Sequence, residues 1–211
     1  PEAFYAHMPG VKVVCPSTPY DAKGLLISAI RDPDPVIFLE PMKIYRALKQ
    51  EVPTKSYTIP LGKARIIQTG KNLTILTWGA MTKMVMDTVT NNKVDAEVID
   101  VRSIVPLDEE TILKSVEKTG RVVIVHEGPK NSGFGGEISA RINEKGLDFL
   151  EAPVLRVTGF DTGLPFFKRE NEYIPSQKRI MNGIKKVLEY WGWQNKMSYE
   201  FKLHKLCFNK Q

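Results

Sequence analysis

Two carboxylates set between prolines, Asp32-Pro33-Asp34-Pro35, directly follow an apolar-periodic segment and could seat a cation. Ala22, Leu25, Leu26, Ala29 and Ile30 recur at the i, i+3, i+4, i+7, i+8 spacing of a buried helical face. Pro33 and Pro35 lack an N–H and bias the residue before each away from helix, so the helix must stop there. Its last carbonyl oxygens then have no partner inside the helix and carry the negative end of its dipole, beside Asp32 and Asp34. A plain proline-terminated helix is the alternative reading of the same residues.

Other candidates are weaker. His126-Glu127 lies at the C-terminal end of an apolar run, the place where open α/β sheets bind ligands. Gly133-Phe134-Gly135-Gly136 opens the next helix and could approach a phosphate, but these glycines lack the full dinucleotide spacing. His7, just before Pro9-Gly10, reads as structural. His204 has no metal partner at helical spacing. Met81, Met84 and Met86 read as helix packing and turn contacts. Cys15 and Cys207 give neither a disulfide framework nor a metal cluster. Cys15 ends the run 11–15 and is expected to be a buried strand thiol, which fits a reducing compartment.

The elements that must position these residues alternate. Residues 11–15 predict a strand, Pro19–Arg31 a helix and 36–39 a second strand, the crossover pointing to parallel pairing. Two strands make a poor independent domain, so residues 1–50 are expected to be the end of a larger α/β domain that continues upstream of Pro1. Residues 51–71 read as a linker, with short strands expected at 57–59 and 64–67. Strands at 73–78, 96–101, 121–125 and 154–157 then alternate with helices near 79–91, 108–119 and 133–145. Asp108 is the expected N-cap of its helix, with Glu109 and Glu110 in the first turn and Gly120 as the stop. Ile180, Ile184, Val187, Leu188 and Trp191 place an apolar stripe on a last helix. Residues 72–193 thus predict a second domain with a mainly parallel sheet covered on both faces.

Of the 211 residues, none belongs to an apolar run long enough to span a bilayer, so no membrane role is expected. The net charge of +6 is concentrated in the tail 194–211, which holds four Lys and one Glu. That tail has Tyr199, Phe201 and Phe208 but no nucleic-acid-binding module around them, so no nucleic-acid partner is expected.

Several runs together resemble the beta subunits of thiamine-diphosphate-dependent 2-oxo acid dehydrogenases, a transketolase-like family. They are Pro1-Glu2-Ala3-Phe4-Tyr5-Ala6-His7-Met8-Pro9-Gly10, Pro35-Val36-Ile37-Phe38-Leu39-Glu40-Pro41, Ile99-Asp100-Val101-Arg102-Ser103, and Val125-His126-Glu127-Gly128-Pro129 with Gly133-Phe134-Gly135-Gly136-Glu137. Ala152-Pro153-Val154-Leu155-Arg156-Val157 and Tyr173-Ile174-Pro175 complete the series, which covers residues 1 to about 190. Phe4-Tyr5-Ala6-His7, residues 40–47 and Gly159-Phe160-Asp161-Thr162 look most like the branched-chain enzyme, with the pyruvate-specific subunit as the alternative.

The resemblance implies the end of a pyrimidine-binding domain followed by a transketolase C-terminal domain. It implies oxidative decarboxylation of a branched-chain 2-oxo acid with acyl transfer to a lipoyl group, the carbanion chemistry belonging to thiamine diphosphate. The implied partners are an alpha subunit, in a tetramer of two alpha and two beta chains, and a lipoyl acyltransferase core. The alpha chain would hold the diphosphate and magnesium. The family's glutamate and its His-Ser-Gln motif would lie before Pro1, so the resemblance assigns no catalytic and no cofactor-binding residue here. The fragment alone would be inactive, or a non-catalytic assembly module. The resemblance does carry over a potassium site at Ala29, Ile30, Asp32 and Asp34, and suggests Glu151 as a contact for the acyltransferase core. It implies a mitochondrial matrix location, or the cytoplasm in a bacterium.

Overall fold

The computed structural model describes residues 2–165 and 169–190. The expected tail 194–211, with His204, Cys207 and the end of the last apolar stripe at Trp191, lies outside the described residues.

The first lobe contains α1 (Glu2–Ala6), β1 (Lys12–Val14), α2 (Pro19–Arg31) and β2 (Val36–Phe38). β1 and β2 pair in parallel, with Lys12 opposite Val36 and Val14 opposite Phe38. The second contains β3 (Arg65–Gln68), β4 (Leu73–Thr77), α3 (Ala80–Asn91), β5 (Ala96–Asp100), β6 (Ser103–Val105), α4 (Glu109–Thr119), β7 (Val122–Pro129), α5 (Phe134–Gly146), β8 (Leu155–Gly159), α6 (Glu170–Tyr173) and α7 (Gln177–Leu188). Its sheet runs β3-β5-β4-β7-β8. Every neighbouring pair is parallel except β3 with β5.

Burial on both faces explains why β4 and β5 are buried along their whole length. Leu73, Ile75, Val98, Val123 and Val125 point to the face covered by Met81 and Val85 of α3 and by Ile180, Ile184 and Val187 of α7. Leu76, Ile99, Val122 and Ile124 point to the face covered by Ile112, Val116, Ile138 and Ile142 of α4 and α5. Met84 and Met86 pack against the first of these cores, as expected. Asp108 caps α4 by accepting from Thr111 N at 3.3 Å, and Gly120 ends it at φ +66°.

Three features differ from the expectations. β6 pairs antiparallel with β1, so the first lobe's sheet, β2-β1-β6, is completed by a strand from the second. Residues 57–59 form no strand; Ile59 instead lies against Gly24, where a Cβ would come within 2.6 Å of its side chain. The apolar stripe on α2 is only partly covered: Leu25 is fully buried, whereas Leu26 and Ile30 are exposed at 41% and 75%. A polar pair, Asp21 and Ser28, takes the space where α2 meets the second lobe and the linker.

Candidate functional site at the junction of the two lobes

Three groups of residues meet near the junction. The first is the end of α2. The carbonyls of Ala29 and Arg31 would ordinarily accept from the fourth residue on, but those residues are Pro33 and Pro35. Ala29 O is left with a long 3.4 Å contact from Asp32 N. Lys12, projecting from the start of β1, lies 2.7 Å from Asp32 Oδ1 and 3.0 Å from Asp34 Oδ2. Asp34 N donates to Asp32 Oδ1 at 2.9 Å, folding the turn on itself. The Lys12 ammonium holds the Asp32 carboxyl below the usual range. Ala29, Ile30, Asp32 and Asp34, the positions that the resemblance implied, lie together at this helix end, and Lys12 was not among them. The signal was the parallel register of 12 with 36, which sets a strand lysine beside the Asp34 turn.

The second group is a buried polar joint. Asp21 on α2 is fully buried and binds Arg102 Nη1 at 2.8 Å and Arg65 Nη1 at 3.2 Å. Nearby, Ser17 Oγ donates to Asp100 Oδ1 at 2.9 Å and lies 3.0 Å from Thr82 Oγ1. Burial, reinforced by the Asp21 charge, pushes the Asp100 carboxyl up to about 7. Asp100 Oδ2, Arg102 Nε and Thr77 Oγ1 have no hydrogen-bond partner among the described residues.

The third group surrounds His126. Its imidazole stacks on Trp78 at 5.2 Å and 9°. Phe134 meets Trp78 edge-on at 6.1 Å. Trp78 Nε1 donates to Glu2 Oε1 at 2.8 Å, across 76 residues of chain. Burial lowers the His126 pKa to about 4, so the ring is neutral at physiological pH. Burial also raises Glu127.

The glycines that opened this helix in the sequence serve the ring rather than a phosphate. A Cβ at Gly133 would lie 2.3 Å from Pro129 O and 2.8 Å from the imidazole. One at Gly135 would lie 2.7 Å from both Cδ2 and Nε2 of His126. Gly135→Ala is therefore expected to cost roughly 1–3 kcal/mol, because the ring is boxed in by Trp78 and cannot yield. Thermal denaturation checks this; an unchanged melting temperature would show that α5 is not seated on the imidazole.

Beside this group a cleft of about 860 Å³ opens between α1, β6 and α5, lined by His7, Ser132, Phe134, Glu137, Arg141 and Arg156 among others. His7 is exposed on its rim, with only its backbone tied to α1. No group of three or more His, Cys, Asp or Glu among the described residues is arranged to hold a metal. Glu151 lies at the far end of the second lobe, 58% exposed and 2.5 Å from Arg121 Nη1.

Residues 1–47 match the family described as "Transketolase, pyrimidine binding domain", and residues 62–180 match "Transketolase, C-terminal domain". The chain belongs to the transketolase-like family. Among transketolase-like proteins it is 50% identical over 192 residues to "Pyruvate dehydrogenase E1 component subunit beta" of Bacillus subtilis, covering 90% of this chain and 59% of that one. It is 48% identical over 194 residues to "2-oxoisovalerate dehydrogenase subunit beta, mitochondrial" of Dictyostelium discoideum, covering 90% and 52%. A solved transketolase-like structure, "Split gene transketolase, inactive beta4 tetramer", has a TM-score of 0.72 at 23% identity, over 88% of this chain and 60% of that one; it supports the fold. The chain spans between half and three-fifths of the length of these curated relatives. Both relatives are beta subunits, of a pyruvate and of a 2-oxoisovalerate dehydrogenase, and the chain is similar to each over about nine-tenths of its own length.

Proposed function

We propose that the chain is part of the beta subunit of a branched-chain 2-oxo acid dehydrogenase. That enzyme oxidatively decarboxylates branched-chain 2-oxo acids and passes the acyl group to a lipoyl carrier. The likeness to a pyruvate and a 2-oxoisovalerate dehydrogenase beta subunit over nine-tenths of the chain supports the class, a 2-oxo acid dehydrogenase beta subunit, without choosing between the two. The choice of the branched-chain side rests on the resemblance of Phe4-Tyr5-Ala6-His7 and residues 40–47 to that enzyme. The 50% identity to the Bacillus protein supports the pyruvate enzyme as the second reading.

No residue of this chain is assigned to thiamine diphosphate or magnesium. The cofactor would supply the carbanion chemistry at a site shared with an alpha subunit, in a tetramer of two alpha and two beta chains. A mitochondrial matrix location is proposed, with bacterial cytoplasm as the alternative, since the relatives include both sources. Reconstitution of the complete subunit with an alpha chain tests the reading. Thiamine-diphosphate-dependent release of CO₂ from a 2-oxo acid is expected, and its absence would overturn it.

Potassium is proposed at the end of α2, through the main chain of Ala29, Ile30, Asp32 and Asp34. Lys12 occupies the carboxylates of Asp32 and Asp34 and offsets half their charge, so the reading leaves the ion to carbonyl oxygens, which can replace a monovalent cation's hydration shell. Potassium in place of sodium should raise the melting temperature of the complete tetramer. Pro33→Ala with Pro35→Ala, which returns N–H donors to the carbonyls, should abolish that difference. A difference that persists in the variant would remove the ion from this helix end.

The acyltransferase core is proposed to contact the second lobe at Glu151. Arg121 already offsets part of its charge, so Glu151→Lys should slow association rather than abolish it. An unchanged association rate and affinity would dismiss this contact.

A further inference from the structure

We infer that Trp78 and His126 are positioning residues: a ring clamp on the second lobe that holds Glu2, and through it fixes α1 and its wall of the adjoining cleft. Its effect on turnover rests on the proposed reading of the chain as part of a 2-oxo acid dehydrogenase beta subunit. The clamp itself stands on the geometry.

Trp78 follows the end of β4, His126 lies within β7 and Glu2 opens α1, so three separate elements converge. Trp78 is 3% exposed and His126 1%. With the two rings stacked nearly parallel, the indole N–H points out of the stack to Glu2 Oε1. Glu2 Oε2 and His126 Nδ1 lie on the same side: a Cβ at Gly128 would meet them at 3.8 and 3.6 Å. The carboxylate therefore sits at the edge of the ring pair, not merely above it.

An ordinary packing contact would need no such partner. A hydrocarbon at position 2 would fill the same half-buried space without requiring a donor. Here the Glu2 carboxylate, alongside its other interactions, accepts from the oriented indole N–H, and that bond fixes direction as well as distance. The neutral imidazole adds no ion pair that would dominate the contact. From the far side, Phe134 and the glycines at 133 and 135 hold the rings in place. Ala3, Ala6 and His7 of α1 form one wall of the 860 Å³ cleft and Gly133, Phe134 and Gly136 the other, so the clamp also sets the width of that cleft.

The test uses the complete beta chain assembled with its alpha chain. Trp78→Phe keeps the ring stack and removes the donor; Glu2→Ala removes the acceptor; Glu2→Gln keeps an acceptor oxygen. Trp78→Phe and Glu2→Ala should each lower kcat roughly ten- to hundred-fold with KM for the 2-oxo acid little changed, the size expected for a misplaced reacting group. The double variant should lose no more than the worse single, and Glu2→Gln should retain activity within a few-fold. Amide exchange in α1 should rise in Trp78→Phe and Glu2→Ala alone.

Unchanged kcat in both single variants of an active complex, additive losses, or an equal loss in Glu2→Gln would overturn the clamp. If the wild-type complex decarboxylated no 2-oxo acid, the functional reading would fall instead. Exchange in α1 would then decide the clamp by itself, unchanged protection in Trp78→Phe overturning it.

Discussion

Asp21→Asn is expected to destabilise the chain by about 3–5 kcal/mol, the cost of leaving a buried charge without its partner. Asp21 is fully buried, and Arg102, 8% exposed, depends on it at 2.8 Å. The same carboxylate accepts from Thr18 Oγ1 at 2.6 Å and faces Arg65 at 3.2 Å, so one substitution weakens the contacts of α2 with both β3 and the end of β5. Denaturant unfolding of the complete subunit measures this. A loss below about 1 kcal/mol would place Asp21 among ordinary surface pairs and contradict its role as the bolt between the lobes. The variant should also change its neighbour. Asp100 would lose a like charge and gain the free guanidinium, so its pKa should drop.

Asp100→Asn should reshape the pH dependence of stability. In the folded chain Asp100 keeps its proton to about pH 7, whereas an unfolded aspartate releases it near pH 4. The native state therefore binds the extra proton across that window, and the Asp100 contribution to stability falls as pH rises from 4 to 7, then levels. His126 works in the opposite sense. It stays neutral down to about pH 4 when folded but takes a proton near pH 6.5 when unfolded, so its contribution rises from pH 4 to 6.5. The two offset each other in the wild type. Asn imitates the protonated acid, so the variant should gain on the wild type by roughly 4 kcal/mol between pH 4 and pH 8. Its own stability should climb with pH to about 6.5. Parallel stability curves for variant and wild type would show that Asp100 is ionised in the fold.

Much of the scaffold was legible because local signals agreed with the tertiary fold. Pro19–Arg31 is read from its period and its proline stop, and the structure gives the same bounds. Asp108 and Gly120 announce the ends of α4 chemically, and both act as caps. What escaped was non-local. Ser103–Val105 carries no signal that it will pair with β1, ninety residues earlier, instead of joining the larger sheet. Leu26 and Ile30 satisfy helical periodicity yet are exposed, because periodicity says that a face is apolar and not what covers it. At the candidate site His126 and the following glycines stood out, but the only role they suggested was phosphate binding, which their spacing disfavours. Their relation to each other, and to Trp78 and Glu2, appears only when β4, β7, α1 and α5 are brought together.

The central claim is tested most directly by substrate discrimination in the complete enzyme, reconstituted from this beta subunit with its full N-terminal part and an alpha subunit. The ratio of kcat/KM for 3-methyl-2-oxobutanoate to that for pyruvate, with thiamine diphosphate, magnesium and potassium present, is predicted to favour the branched-chain acid. A ratio favouring pyruvate would reassign the chain to the pyruvate enzyme, and turnover of neither acid would contradict the account.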